Sequence, residues 1–144
     1  RGVSAYYCHN TYVAHVLDVV IENEKPIVKK VISAVDCGIV VNPDAATNLS
    51  QGAVIDGIGH SMYSAITSKD GAPDQSNFNK YRLIRHAEAP KEIEVHCVKN
   101  DNSPTGMGEP SGPPVIGALA NALYKATGKR VYDQPFFGEK KVIG

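Results

Sequence analysis

The sequence predicts an α+β fold, built from antiparallel strands with two main helices and no regular βαβ alternation. Three observations predict it. Apolar residues alternate through much of residues 13–35, they recur at three- and four-residue spacing from Val115 to Ala126, and the period changes abruptly at Asn42-Pro43-Asp44.

Each element has its own residue-level reason. Val13, His15, Leu17, Val19 and Ile21 alternate with Ala14, Val16, Asp18 and Val20. Both faces are largely apolar, as in a strand covered on both sides. Glu22-Asn23-Glu24-Lys25-Pro26 supplies turn formers, and a second strand follows from Ile27 to Val35. The two read as an antiparallel hairpin, with Gly2 to Cys8 as a candidate third strand. At Asn42-Pro43-Asp44, Asn suits the N-cap, Pro the first helical position and Asp the first turn. The helix predicted from there extends to about Ile66. Its Gly52, Gly57 and Gly59 each cost about 1 kcal/mol relative to Ala. They indicate close backbone packing, a break near Gly57 or a cofactor lying against the helix, with packing the commonest reason. Residues 67–90 read as irregular, with Asp70-Gly71 as a turn and Phe78 to Ile84 as a candidate extended piece. Ile93, Val95 and Cys97 alternate with Glu92, Glu94 and His96, a half-buried strand. The last helix is predicted from Pro113 to Thr127, closed by Gly128 and followed by Lys129 and Arg130. The aromatics of the Tyr132 to Phe137 tail predict that it is pinned rather than free. No internal repeat is visible.

Composition bounds the partners. The 144 residues suit one domain spanning 1–144, or one lobe of something larger. With 42% apolar and 21% charged residues, a packed core is expected and disorder is not. Formal net charge is zero, and the densest basic clusters, Lys29-Lys30 and Lys140-Lys141, are too short for a nucleic-acid footprint. No apolar stretch approaches the roughly 18 residues of a membrane span. The chain opens with Arg1 rather than Met, which predicts a piece of a longer polypeptide and leaves cytoplasm and periplasm both open. Cys8, Cys37 and Cys97 are odd in number and form no C-x-x-C pair, which rules out a framework of several bridges. The histidines at 9, 15, 60, 86 and 96 do not fall at metal-ligand spacings, so no metal-ligand set is assigned.

The richest stretch is Ser103-Pro104-Thr105-Gly106-Met107-Gly108-Glu109-Pro110-Ser111-Gly112-Pro113-Pro114. Gly106 and Gly108 permit backbone angles and close approaches that a Cβ forbids. Pro110 biases Glu109 toward extended backbone. A solvated surface carboxylate needs none of this, whereas a general base needs a rigid mount. On residues alone, Glu109 reads either as such a base or as a loop carboxylate serving the following helix. Asp36 and Asn42 read as turn and cap residues.

Three segments in order carry a family resemblance: Val35-Asp36-Cys37-Gly38-Ile39-Val40-Val41-Asn42-Pro43, then Gly52-Ala53-Val54-Ile55-Asp56-Gly57-Ile58-Gly59, then Gly106-Met107-Gly108-Glu109-Pro110 with Pro113-Pro114-Val115 and Asn121-Ala122. Together with Ala126-Thr127-Gly128-Lys129-Arg130 they resemble the C-terminal part of the molybdenum-binding subunit of the molybdenum hydroxylases. This is the xanthine dehydrogenase and aldehyde oxidase family, and the likeness is nearest to its isoquinoline 1-oxidoreductase beta-subunit branch. It covers nearly the whole chain.

The resemblance implies one lobe of a larger molybdopterin-binding domain, inactive alone because most cofactor ligation lies outside it. Glu109 matches the family's general base, which takes a proton from a molybdenum-bound hydroxyl as that group attacks an aldehyde or N-heterocyclic carbon. The implied cofactor is molybdenum-molybdopterin, in its cytosine dinucleotide form. The implied partners are the rest of the molybdenum-binding subunit, an iron–sulfur subunit that carries the electrons away, and the small-molecule substrate. Family members carry Gln-x-Glu-Gly ending at the Gly52 position, where this chain reads Leu49-Ser50-Gln51-Gly52. Leu49 has no amide to offer a pterin. The cofactor-binding candidates are therefore Ser50, Gln51, Gly52 and Gly108. Leu49 also keeps a second reading open, a structural or subunit-contact module that retains the fold without the cofactor. The enzymatic reading expects the Glu109 carboxylate to face a cavity.

Overall fold

A computed structural model of the chain describes residues 1–137. The elements in chain order are β1 (Gly2–Cys8), β2 (Thr11–Glu22), β3 (Lys25–Asp36), α1 (Pro43–Met62), β4 (Ser68–Lys69), β5 (Ala72–Pro73), β6 (Glu92–Cys97) and α2 (Pro113–Thr127). Lys140-Lys141 lie outside the described residues.

The first three strands form a meander through two-residue turns. His9 and Asn10 (φ 53° and 59°) and Asn23 and Glu24 (φ 51° and 63°) all take left-handed backbone, the hairpin geometry that matches strand twist. The predicted turn thus narrows to Asn23-Glu24, and Lys25 and Pro26 belong to β3. The main sheet has the order β1-β2-β3-β6. Its last pair departs from the antiparallel expectation, because β3 and β6 run parallel. The reason is the connection: α1 and the long segment after it carry the chain back before β6 begins, and only such a crossover can join parallel neighbours. The sheet is mixed, and the α+β class stands.

One sheet face is the core. Leu17, Val19, Val28 and Val31 pack against Val54, Ile58 and Met62 of α1 and Val115, Leu119 and Leu123 of α2. Truncating a fully buried side chain such as Leu119 costs about 2–5 kcal/mol. The second face of β2, expected to be covered, is only partly so. Ala14, Val16 and Asp18 are half-buried, and Tyr12 and Val20 are exposed among the described residues. Alternation reports apolarity on both faces but not which face receives the helices.

α1 begins as predicted, with Asn42 accepting a hydrogen bond from the Ala45 amide (3.0 Å), but ends at Met62 rather than Ile66. The returning tail takes over its last turn. The Phe136 amide donates to the Ser61 carbonyl (2.7 Å) and the Phe137 amide to that of Met62 (3.2 Å). Phe136 is buried while Tyr132 is exposed, so the tail is pinned by its end. The α1 glycines divide. A Cβ on Gly57 would stand 2.8 Å from Val115 Cβ, and one on Gly59 would stand 2.9 Å from Ile84 Cγ2. Gly52 has nothing within 4 Å, so packing does not explain it. The helix is unbroken at Gly57. Asp70-Gly71 turns between β4 and β5, whereas Phe78–Lys80 is a short 3-10 helix rather than extended backbone. α2 matches its predicted bounds and ends at Gly128 (φ 74°), whose amide donates to the Tyr124 carbonyl.

The tightest seam joins β1 to α2, where a Cβ on Gly2 would lie 2.0 Å from the Ala118 carbonyl oxygen and 2.2 Å from the Ala122 nitrogen. Backbone atoms cannot give way. Gly2→Ala is expected to destabilise by at least about 1–3 kcal/mol, read as a lower Tm in thermal unfolding; an unchanged Tm counts against this packing.

Candidate functional site

The Ser103–Pro114 stretch is held by backbone and side chains from separate parts of the fold. The Thr105 amide donates to the Cys37 carbonyl (2.9 Å), and the Ile39 amide donates to that of Asn102 (3.0 Å). Between them Gly38 takes left-handed backbone (φ 72°), and a Cβ there would meet the Ser103 carbonyl oxygen at 2.3 Å. Asp36 steadies this corner by accepting from the Gly38 amide and the Asn100 side chain (2.8 Å). On the other flank the loop rests on the β1–β2 turn. The Gly106 amide donates to the His9 carbonyl (3.2 Å), and the Thr11 hydroxyl donates to the Gly106 carbonyl (2.5 Å). With its proton so used, Thr11 accepts from the Thr105 hydroxyl at 2.7 Å.

The third anchor is buried. His15 of β2 is fully enclosed, with Nε2 2.8 Å from the Ser111 carbonyl oxygen and Nδ1 2.8 Å from Ser33 Oγ. A carbonyl can only accept, so Nε2 carries the proton and the neutral ring accepts from Ser33 at Nδ1. Burial lowers the His15 pKa below its ordinary value, against a smaller opposing effect of the Ser111 carbonyl. Ser111 Oγ in turn donates to Ser50 Oγ of α1 (3.1 Å). Sheet, α1 and the entry to α2 therefore meet at one polar cluster inside an apolar core.

Glu109 sits between these anchors, where its carbonyl accepts from the Gly112 amide (3.0 Å) in a turn entering α2. Its carboxylate does not face a cavity. The side chain is 80% exposed, and the His9 imidazole stands beside it with Nε2 4.0 Å from Oε2. The anchors all lie on the inner side of the loop, which leaves the carboxylate on the outer side. The neighbouring cleft, about 190 Å³, is apolar and lined by Cys37, Val41, Leu49, Thr105 and Met107 but not by Glu109. Burial in this cleft raises the Cys37 thiol pKa, with smaller contributions from Cys97 and Asp36.

The cofactor-binding candidates do not converge. The Ser50 hydroxyl is buried against Ser111, and the Gln51 amide donates to the Ile93 carbonyl of β6 (3.0 Å). Leu49 is half exposed at the cleft, offering carbon only. Gly52 and Gly108 have open space where a Cβ would project, and neither has positive φ. Of the two loop glycines it is Gly106 that makes a close approach, since a Cβ there would stand 2.8 Å from His9 Cβ. His9 itself was not legible as a site residue. The signal was weak: a histidine in a two-residue turn, whose relation to Glu109 exists only after a hundred residues of chain have returned. Among the described residues no three His, Cys, Asp or Glu side chains cluster as a metal site would require.

The family model of the molybdopterin cofactor-binding domain matches residues 2–90. The chain belongs to that family. The match places it among the molybdenum-binding subunits of the molybdenum hydroxylases, over a partial region. The membrane-bound aldehyde dehydrogenase [pyrroloquinoline-quinone] of Gluconacetobacter polyoxogenes is 33% identical over 108 residues, which is 74% of this chain and 14% of that protein. Isoquinoline 1-oxidoreductase subunit beta of Brevundimonas diminuta is 29% identical over 75% of this chain and 14% of its own length. The aldehyde oxidoreductase structure from Desulfovibrio gigas superposes with a TM-score of 0.78 at 20% identity, over 94% of this chain and 17% of that one. That likeness shows the fold alone. The chain spans about 14% of these two curated relatives.

Two substitutions separate the loop glycines. Gly106→Ala is expected to lift the loop from the β1–β2 turn, moving the amide resonances of residues 105–109 and lowering Tm. Gly108→Ala, pointing into open space, is expected to leave both nearly unchanged. Equal effects from the two would count against the seating described.

His15 predicts a pH dependence. Its folded-state pKa lies below the ordinary 6.5, so the unfolded chain binds more protons as pH falls. Its contribution to stability is full above about pH 6.5 and is lost as pH falls toward the depressed folded value. Denaturant unfolding at stepped pH is expected to show this slope in the native chain and to show it reduced in His15→Gln.

Proposed function

We propose that this chain is the C-terminal part of a molybdenum hydroxylase's cofactor subunit, folding as one domain over 1–144, with Glu109 as the general base. The observation that supports this most is the mounting of Glu109. Its loop is fixed at Cys37, at His9 and Thr11, and at His15, while the carboxylate itself stays unencumbered. A base needs an oxygen at a reproducible position, and the anchored loop restrains the backbone beneath Glu109, with His9 Nε2 standing 4.0 Å from the carboxylate, beyond hydrogen-bond distance. The outer side also fits a large group arriving from outside the chain, because no Cβ could clash at Gly108 and the carboxylate is accessible. The α1 side fits it less well, since Ser50 and Gln51 are engaged internally.

When bound, molybdenum-molybdopterin supplies the oxidising centre for hydroxylation of an aldehyde or N-heterocyclic carbon with oxygen from water. Glu109 Oε1 or Oε2 accepts the proton released from the water-derived nucleophile. Gly108 lets the group approach the backbone, and the anchored loop keeps the carboxylate from swinging away. Within this proposal the cofactor is the cytosine dinucleotide form. The partners are the remainder of the subunit, which would have to build a pocket around the exposed Glu109 carboxylate, and an iron–sulfur subunit. The chain alone is inactive.

A second reading is favoured by Leu49, which has no polar side-chain atom, and by Ser50 and Gln51, whose side chains bond to Ser111 and the Ile93 carbonyl: a subunit-contact module that keeps the fold without the cofactor. Metal and pterin analysis of the enzyme carrying this chain separates the two, and also separates molybdopterin from the quinone named for the Gluconacetobacter relative. Molybdenum is expected. Glu109→Gln is then expected to lower kcat by about 10²–10⁴-fold with metal content unchanged; near-normal turnover in that variant would remove Glu109 from the role.

A further inference from the structure

We propose that the uncovered face of the main sheet is an internal interface of the parent subunit, covered there by an apolar, uncharged segment of the same polypeptide lying outside these 144 residues. It rests on the reading of this chain as part of a larger cofactor subunit, and it names the surface through which the two parts meet.

The first three strands are written for two covers and have one. Their register sets Val3, Val16 and Ile32 side by side in a row across β1, β2 and β3, on the face away from the helices. Ala5, Ala14 and Ala34 make the next row, and Tyr7 and Tyr12 begin the one after. Across these three strands the first two rows hold no charged or polar side chain. A sheet with one wetted face alternates apolar with polar residues, whereas strands buried on both faces do not. Yet Val3, Tyr7 and Tyr12 are 58%, 52% and 61% exposed, and Ala5 and Ala34 are exposed as well. A contiguous apolar surface of this kind marks a place of contact. Its relief is receptive too. The small alanine side chains leave a trough between the aliphatic row and the two tyrosines, whose ring centroids lie 4.5 Å apart.

Charge and area select the occupant. At the end of the face beyond the aliphatic row, Arg1 already pairs with Asp18 (2.6 Å), and Lys30 with Glu92 (2.6 Å) and Glu94. A charged partner would find these groups engaged, so the cover is apolar and uncharged. Three strands and three rows at ordinary sheet spacing present only about 300 Å². Stable association of separate chains buries about 800 Å² on each partner. The face is therefore too small to hold a second copy or another subunit by itself. A segment of the same polypeptide is tethered, and does not lose the translational freedom that a separate chain must. Such polypeptide exists in the relatives, of which this chain spans about 14% of the two named above.

The test uses the purified enzyme that carries this chain, and begins with the intact mass of its subunit. In the native enzyme, Ala34→Cys is expected to react with N-ethylmaleimide at least about 10-fold more slowly than after unfolding. Tyr12→p-benzoylphenylalanine is expected, on irradiation, to cross-link to a peptide of the same polypeptide outside residues 1–144, located by mass spectrometry. Where that variant does not fold, Val3→p-benzoylphenylalanine on the opposite wall of the trough is read in the same way. A subunit with the mass of these 144 residues alone would refute the larger-subunit reading, and this proposal falls with it. With a larger subunit, a cross-link that adds the mass of a second copy or of another subunit leaves that reading standing and overturns the same-chain cover. Labelling of Ala34→Cys as fast as in the unfolded enzyme, or no cross-link beyond residues 1–144, shows the face to be open and overturns it too.

Discussion

The hydrogen bond from buried His15 to the Ser111 carbonyl is the constraint on which the rest of the structure depends. It crosses from the middle of the sheet to the residue before α2 begins its approach, and Ser111 passes the connection on to Ser50 of α1. Three pieces of chain far apart in sequence are brought into one register by a group that cannot be left unpaired. Burial makes an unsatisfied imidazole or carbonyl costly, so the geometry is narrowly specified. An apolar contact at the same place would have tolerated sliding. This cluster does not.

The loop ahead of α2 takes its shape from that anchor and from the hairpin turn opposite. Its inner side is occupied by Cys37, His9, Thr11 and His15, which is why its acidic side chain stands outside. Exposure of Glu109 in a chain spanning about 14% of the two curated relatives named above is a statement about which surface is finished here. The inner surface is complete, with no buried polar side-chain atom left unpartnered among those described. The outer surface carries the carboxylate, an open glycine and exposed Val41 and Leu49 at the cleft.

The departure at Leu49 acquires physical content in the same frame. Residues one and two positions along a helix point in different directions, so a neighbour cannot simply replace a lost amide. Ser50 turns inward to Ser111 and Gln51 reaches the β6 backbone. Neither stands in for Leu49. The helix dedicates its polar side chains here to holding the fold together, while the loop before α2 keeps its own polar group free.

The sequence by itself determined the local elements. Alternation placed β2 and β3, Asn42-Pro43 placed the start of α1, and three- and four-residue spacing with Gly128 placed α2, because each signal is written within a few consecutive residues. It also carried the family resemblance, since the Gly-x-Gly-Glu-Pro run is contiguous. Only the tertiary structure decided that β6 runs parallel to β3, that α1 stops at Met62 under the returning tail, and that Ser50 and Gln51 face inward. It alone brought His9 beside Glu109, a hundred residues away. These outcomes depend on which surfaces meet after long crossovers, and a side chain's direction in space is set by packing partners that no short stretch of sequence contains.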